Sequence, residues 1–245
     1  MRVDPVRRGL GIAVLAQGAA LAVLAVTGAA GGMGLTAGAG YGLLCDVLIV
    51  RGLARGTATR VGIANAVTWA RCALVGAVVA LVPTAAHGWP TVELVVAAAV
   101  AILLDGVDGR VARTTGTVSR FGSRFDMEVD ASLVLALSIV AVPRVGAWVV
   151  LLGAARYLLL VATLLVPRLG EPTPPRLWRK VVAVVQGVVL TVVSAGVLPA
   201  PVAGVVAVGA GLALAWSFAT QIHGLLRSER AADAAVPEPV DARVG

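Results

Sequence analysis

Five of the chain's 13 acidic residues fall between positions 105 and 130: Asp105, Asp108, Asp126, Glu128 and Asp130. Asp105 and Asp108 are three residues apart and Asp126 and Asp130 four apart, so on helices each pair shares one face. Two antiparallel helices joined by a short connector would turn four carboxylates toward one another. Like charges that close repel strongly unless they are protonated or neutralised. Hard oxygen ligands with no histidine or thiolate beside them suit Mg²⁺ or Mn²⁺ rather than zinc or copper. A cluster of this size can hold two ions about 3.5–4 Å apart, an arrangement that clamps the oxygens of an in-line phosphoryl displacement. A solvated loop would account for Glu128, but not for Asp105, which directly follows the apolar run 97–104. A carboxylate at the edge of such a run lines a polar cavity or meets a cation. Gly106, Gly109, Gly116 and Gly122 interrupt the same region, each costing a helix about 1 kcal/mol relative to Ala. Helix packing would explain Gly106 and Gly116, whereas beside carboxylates the missing side chain at Gly109 would let a diphosphate approach the backbone.

The elements that must position these residues are set by composition. The chain has 245 residues, 59% hydrophobic and 13% charged, with a mean hydropathy of +0.94. That excludes a water-soluble globule, a disordered chain and a collagen-like repeat, and makes lipid the solvent of most of the surface. A bilayer core takes about 20 apolar residues per helix. Eight such runs are predicted, at 9–29, 34–50, 62–83, 91–112, 125–142, 145–166, 180–198 and 202–224. They are too long for strands and do not alternate. The net charge of +7 comes almost wholly from arginine, Lys180 being the only lysine. In such a chain a basic excess marks cytoplasmic loops and anionic head groups, not nucleic acid. Arg2, Arg7 and Arg8, then Arg51, Arg55 and Arg60, then Arg113, Arg120 and Arg124, then Arg168, Arg176, Arg179 and Lys180, and finally Arg227 and Arg230 alternate with loops near Gly31, His87, Arg144 and Pro199 that share one basic residue. The alternation predicts both termini and the acidic segment on the cytoplasmic side. The segment 227–245, polar and carrying two prolines, reads as a disordered tail. Cys45 and Cys72 are too few for a disulfide framework and, with His87 and His223, too few for a zinc site.

The order Asp105-x-x-Asp108-Gly109-x-x-Ala112-Arg113, eight residues, Gly122-x-x-x-Asp126-x-x-x-Asp130 resembles the signature of the CDP-alcohol phosphotransferase family at all eight specified positions. A chance match is on the order of one in ten million at typical residue frequencies. Asn65, Thr68 and Arg71 resemble the opening of that family's first core helix. Arg156, Lys180 and Gln186 resemble further family positions, with Ala183 where many members have threonine. The resemblance covers about 62–224. It implies an all-α polytopic transmembrane bundle with a six-helix core at 62–226, to which 1–61 adds about two spans. It also implies an enzyme of phospholipid biosynthesis that moves a phosphatidyl group from a CDP-linked lipid, most often CDP-diacylglycerol, to a polar alcohol, releasing CMP. Carried over by position, Asp105, Asp108, Asp126 and Asp130 are metal ligands, with Asp130 the general base, and two Mg²⁺ or Mn²⁺ ions are the cofactor. Gly109, Ala112, Arg113 and Gly122 form the nucleotide side. A homodimer in the plasma membrane of a bacterium is implied as well.

Arg156 lies inside the apolar run 147–166, where a charge costs about 2.5–3.5 kcal/mol on insertion scales, so an anion should be near it. The carboxylate cluster is one candidate. A phosphate on the acceptor is another, which makes Arg156 and Lys180 expected acceptor contacts and a phosphorylated polyol the expected acceptor. A cation or metal transporter is the rival reading, since intramembrane carboxylates also mark ion pathways. It leaves Arg113 and the glycine spacing unexplained.

Overall fold

The computed structural model describes residues 4–54, 63–87, 92–114, 120–166 and 177–234, and within these the side chains at 10–52, 67–87, 92–106, 122–166, 178 and 181–224. The described residues form eight α-helices and one short 3-10 turn, with no strand. They are α1 Asp4–Val26, α2 Gly32–Ala54, α3 Ile63–His87, α4 Val92–Thr114, α5 Arg120–Val145, α6 Val150–Leu165, α7 Leu177–Ser194 and α8 Ala200–Ala234, the 3-10 turn Ala147–Val149 preceding α6. Each predicted span has its helix. Four of the helices are long and apolar enough to cross a membrane by themselves. Leu15, Leu164, Leu165 and Val205 are exposed on the outside, as lipid-facing positions require.

Two differences from the sequence expectation concern helix ends. The glycines of the acidic segment do not break α4, which runs through Gly106 and Gly109 to Thr114. At about 1 kcal/mol each, their cost is small beside the unpaired backbone groups that an opened helix would expose in lipid. The helix α8 continues to Ala234, past the expected start of a disordered tail at 227. Three alanines, two arginines and a glutamate among its last eight residues favour the helix.

The third helix is the axis of the bundle. Val75, Val78, Ala80, Leu81 and Ala85 on it are almost completely buried, and α1, α2, α4 and α5 all pack against it. Small residues set the approach of α2: a Cβ on Gly38 would lie 2.7 Å from the Gly76 carbonyl oxygen of α3, and one on Gly34 would strike that of Ala80. Without a hydrophobic drive between helices in lipid, such close backbone contact supplies the attraction. The helices α4 and α5 are not among the closely packed pairs. Both rest on α3 on one side and α7 on the other, so the two acid-bearing helices are held near each other by shared neighbours and not by packing on one another.

Helix direction alternates, so the loop ends gather at opposite poles. Arg144, at the end of α5, donates from Nη1 to the carbonyl of Leu198 between α7 and α8 at 3.3 Å, tying together two of the loops that carry little charge. At that pole Gly146 turns the chain with a φ of +94°, a conformation that favours glycine.

Candidate active site

The other pole holds the acids. Asp105 on α4 and Asp126 and Asp130 on α5 each bring one carboxylate oxygen within 4.8 Å of the others. Asp105 comes from the last apolar stretch of α4, while Asp126 and Asp130 are one turn apart on α5. Arg71 of α3 joins them. Its Nη1 bonds Asp126 and lies 3.2 Å from Asp105, and its Nη2 bonds Asp130. The Arg71 side chain is 2% exposed, against 15% for Asp105 and 43% for Asp130, so the cation is sealed in the bundle and the acids open outward. Asp108, Gly109, Ala112 and Arg113 follow Asp105 on α4, but their side chains lie outside the described residues, as does that of Lys180 on α7. Gly122 stands exposed in the first turn of α5. Gly106 is also exposed, and among the described residues a Cβ there would meet nothing within 4 Å. The packing role expected of Gly106 is therefore not seen.

Beside the acids a cavity of about 290 Å³ opens between α4 and the last four helices. Asp105, Asp130, Arg156 and Gln186 supply its polar groups, and residues such as Ile102, Leu133, Leu214 and Phe218 make the rest apolar. Ala183, where the resemblance would favour a threonine, lines it with a methyl group. Gln186 is 6% exposed, and among the described residues its Nε2 has no hydrogen-bond partner, nor does the buried Nε of Arg156. Buried donors left over in this way suit a polar ligand.

Arg156 does have an anion within the protein, and it is not one of the four aspartates. Glu128, one turn before Ser132 on α5, bonds its Nη2. Close packing permits this, since a Cβ on Gly153 would overlap Ser138 Oγ and lie 2.6 Å from Leu135 Cα. Next to the pair, Ser132 Oγ and Tyr157 OH are 3.2 Å apart. Sequence reasoning read Glu128 as a solvated loop residue and did not give Arg71 a partner. For Arg71 the signal was present: a permanent charge in an apolar span needs an anion nearby.

The donor set suits a divalent cation. Three carboxylates converge without nitrogen or sulfur ligands among the described residues, which is the chemistry of Mg²⁺ or Mn²⁺ sites. A polytopic helical membrane bundle with a carboxylate centre and an adjoining, mostly apolar cavity is the class of protein this defines. Residues 61–220 match the model of the CDP-alcohol phosphatidyltransferase family, and the chain belongs to that family. No curated protein and no solved structure matches it. Membership makes it an integral membrane transferase of phospholipid head-group synthesis, from a family that depends on divalent metal.

Proposed function

We propose that the protein transfers a phosphatidyl group from CDP-diacylglycerol to a phosphorylated polyol, releasing CMP, at the cytoplasmic face of a bacterial plasma membrane. The observation that carries the reading is the convergence of Asp105, Asp126 and Asp130 beside a cavity whose walls are mostly apolar. An alkyl chain and a charged diphosphate need these two environments side by side. In this reading Asp105, Asp108, Asp126 and Asp130 hold Mg²⁺ or Mn²⁺, and Gly109, Ala112, Arg113 and Gly122 face the cytidine diphosphate. Bound metal would offset charge on the diphosphate and on departing CMP. Asp130 takes the proton of the acceptor hydroxyl, whose oxygen bonds to the lipid-bearing phosphorus as the bond from that phosphorus to the CMP oxygen breaks. No side chain serves as nucleophile.

Arg156 and Lys180 bind the acceptor's phosphate in this scheme. Arg156 lines the cavity with Asp130, is 35% exposed and, among the described residues, keeps an unpaired Nε beyond its bond to Glu128, so it has donors left for a phosphate. Incubation of the purified protein with CDP-diacylglycerol and a panel of acceptors tests all of this. CMP and a new phospholipid should appear with Mg²⁺ or Mn²⁺, vanish on chelation and return on re-addition. Faster consumption of serine or another unphosphorylated alcohol than of any phosphorylated polyol refutes the acceptor assignment. Metal uptake without CMP release would favour a transporter.

A further inference from the structure

Arg71 differs from arginines in the last turns of helices, such as Arg51 and Arg144. It sits within α3, the helix on which both carboxylate-bearing helices pack. It is 2% exposed and touches Asp105, Asp126 and Asp130, so all three carboxylates share one guanidinium. Its Nε is buried with no partner among the described residues. The two outer nitrogens therefore determine its place, and a planar fork divided among three carboxylates is something a lysine ammonium reproduces poorly.

We propose that Arg71 is the built-in counter-cation of the carboxylate cluster, a positioning residue that gathers Asp105, Asp126 and Asp130 before metal arrives and offsets one of their three charges. The proposal rests on reading these aspartates as metal ligands. Three carboxylates with oxygens within 4.8 Å of one another would repel strongly at a half-buried site. With a guanidinium fixed among them, the metal-free bundle stays closed and the ligands are already near their places. A divalent ion then adds charge to a cluster that is partly offset, so metal binding stabilises the fold less than it would without Arg71.

The experiment measures Tm of the full-length protein in detergent, in chelator and in saturating Mn²⁺, with Mn²⁺ binding followed by electron paramagnetic resonance. Arg71→Gln should lower the chelator Tm by at least about 5 °C and raise the Mn²⁺-induced increment to roughly twice the wild-type value or more. Arg71→Lys, which keeps the charge, should fall nearer wild type in both. A residue that merely fills space would lower both Tm values together, so equal Mn²⁺ increments in wild type and Arg71→Gln overturn the proposal. Should Arg71→Gln not fold, Arg71→Gln combined with Asp126→Asn, which removes one negative charge as well, should restore folding in chelator. Failure of the double variant also overturns it. Absence of Mn²⁺ binding to wild type would instead sink the metal-site reading, and the chelator comparison of single and double variants would still decide the role of Arg71.

Discussion

At the scale of single residues, the proposed scheme gives Asp130 the chemistry and Arg156 the binding. Asp130 lines the cavity and shares the face of Asp126 on α5, where it can reach an acceptor hydroxyl. An amide at 130 cannot take a proton, so Asp130→Asn should lower turnover at least ~100-fold and leave CDP-lipid binding largely intact. CMP release and equilibrium binding measured on the same preparation check both halves. Turnover within tenfold of wild type would remove the base assignment. Arg156→Gln should raise the acceptor KM or lower kcat about tenfold, the size of one charge-assisted bond, with little effect on CDP-lipid binding. Because Glu128 bonds Arg156, Glu128→Gln frees the guanidinium and should lower the KM of a phosphorylated acceptor. An unchanged or higher KM would show that the ion pair acts structurally.

At the scale of elements, the site depends on how closely α6 approaches α5. The contact at Gly153 leaves no room for a side chain, and Arg156 follows it by about one turn of α6. Overpacking of this kind costs about 1–3 kcal/mol, so Gly153→Leu should lower Tm by several degrees and reduce turnover by displacing Arg156. Gly204 on α8 is the control: among the described residues a Cβ there meets nothing within 4 Å. Gly204→Ala should leave Tm unchanged or slightly higher, because Ala favours a helix by about 1 kcal/mol over Gly. Equal losses at the two positions would mean that helix propensity, and not the α5–α6 contact, governs both.

At the scale of the whole molecule, the acidic pole and the Arg144–Leu198 pole lie at opposite ends of the bundle. The proposed orientation puts the acids with the basic loops, on the cytoplasmic side. Thr117→Cys and Glu171→Cys should be labelled by an impermeant thiol reagent only from that side, and Gly88→Cys only from the other. The native Cys45 and Cys72 are buried and should give little background. If Thr117→Cys and Gly88→Cys label from one side, the chain does not cross the membrane between them as proposed.

Helix number and placement were legible in the sequence because each span must satisfy its own backbone hydrogen bonds in lipid. Length and hydropathy therefore define it without reference to any neighbour. The pairing of Asp126 with Asp130 was legible for the same local reason, since residues four apart share a helix face. Long-range partners were not. Arg71 lies 55 residues from Asp126 and Arg156 lies 28 from Glu128, and no periodicity specifies which charge on one helix will meet which charge on another. Those matches follow from helix packing: α3 between α4 and α5, and α6 brought onto α5 by the bare backbone of Gly153. Sequence could state that a buried cation needs an anion. Only the crossing of the helices, fixed by side-chain volumes at their contacts, chose Glu128 for Arg156 and three aspartates for Arg71.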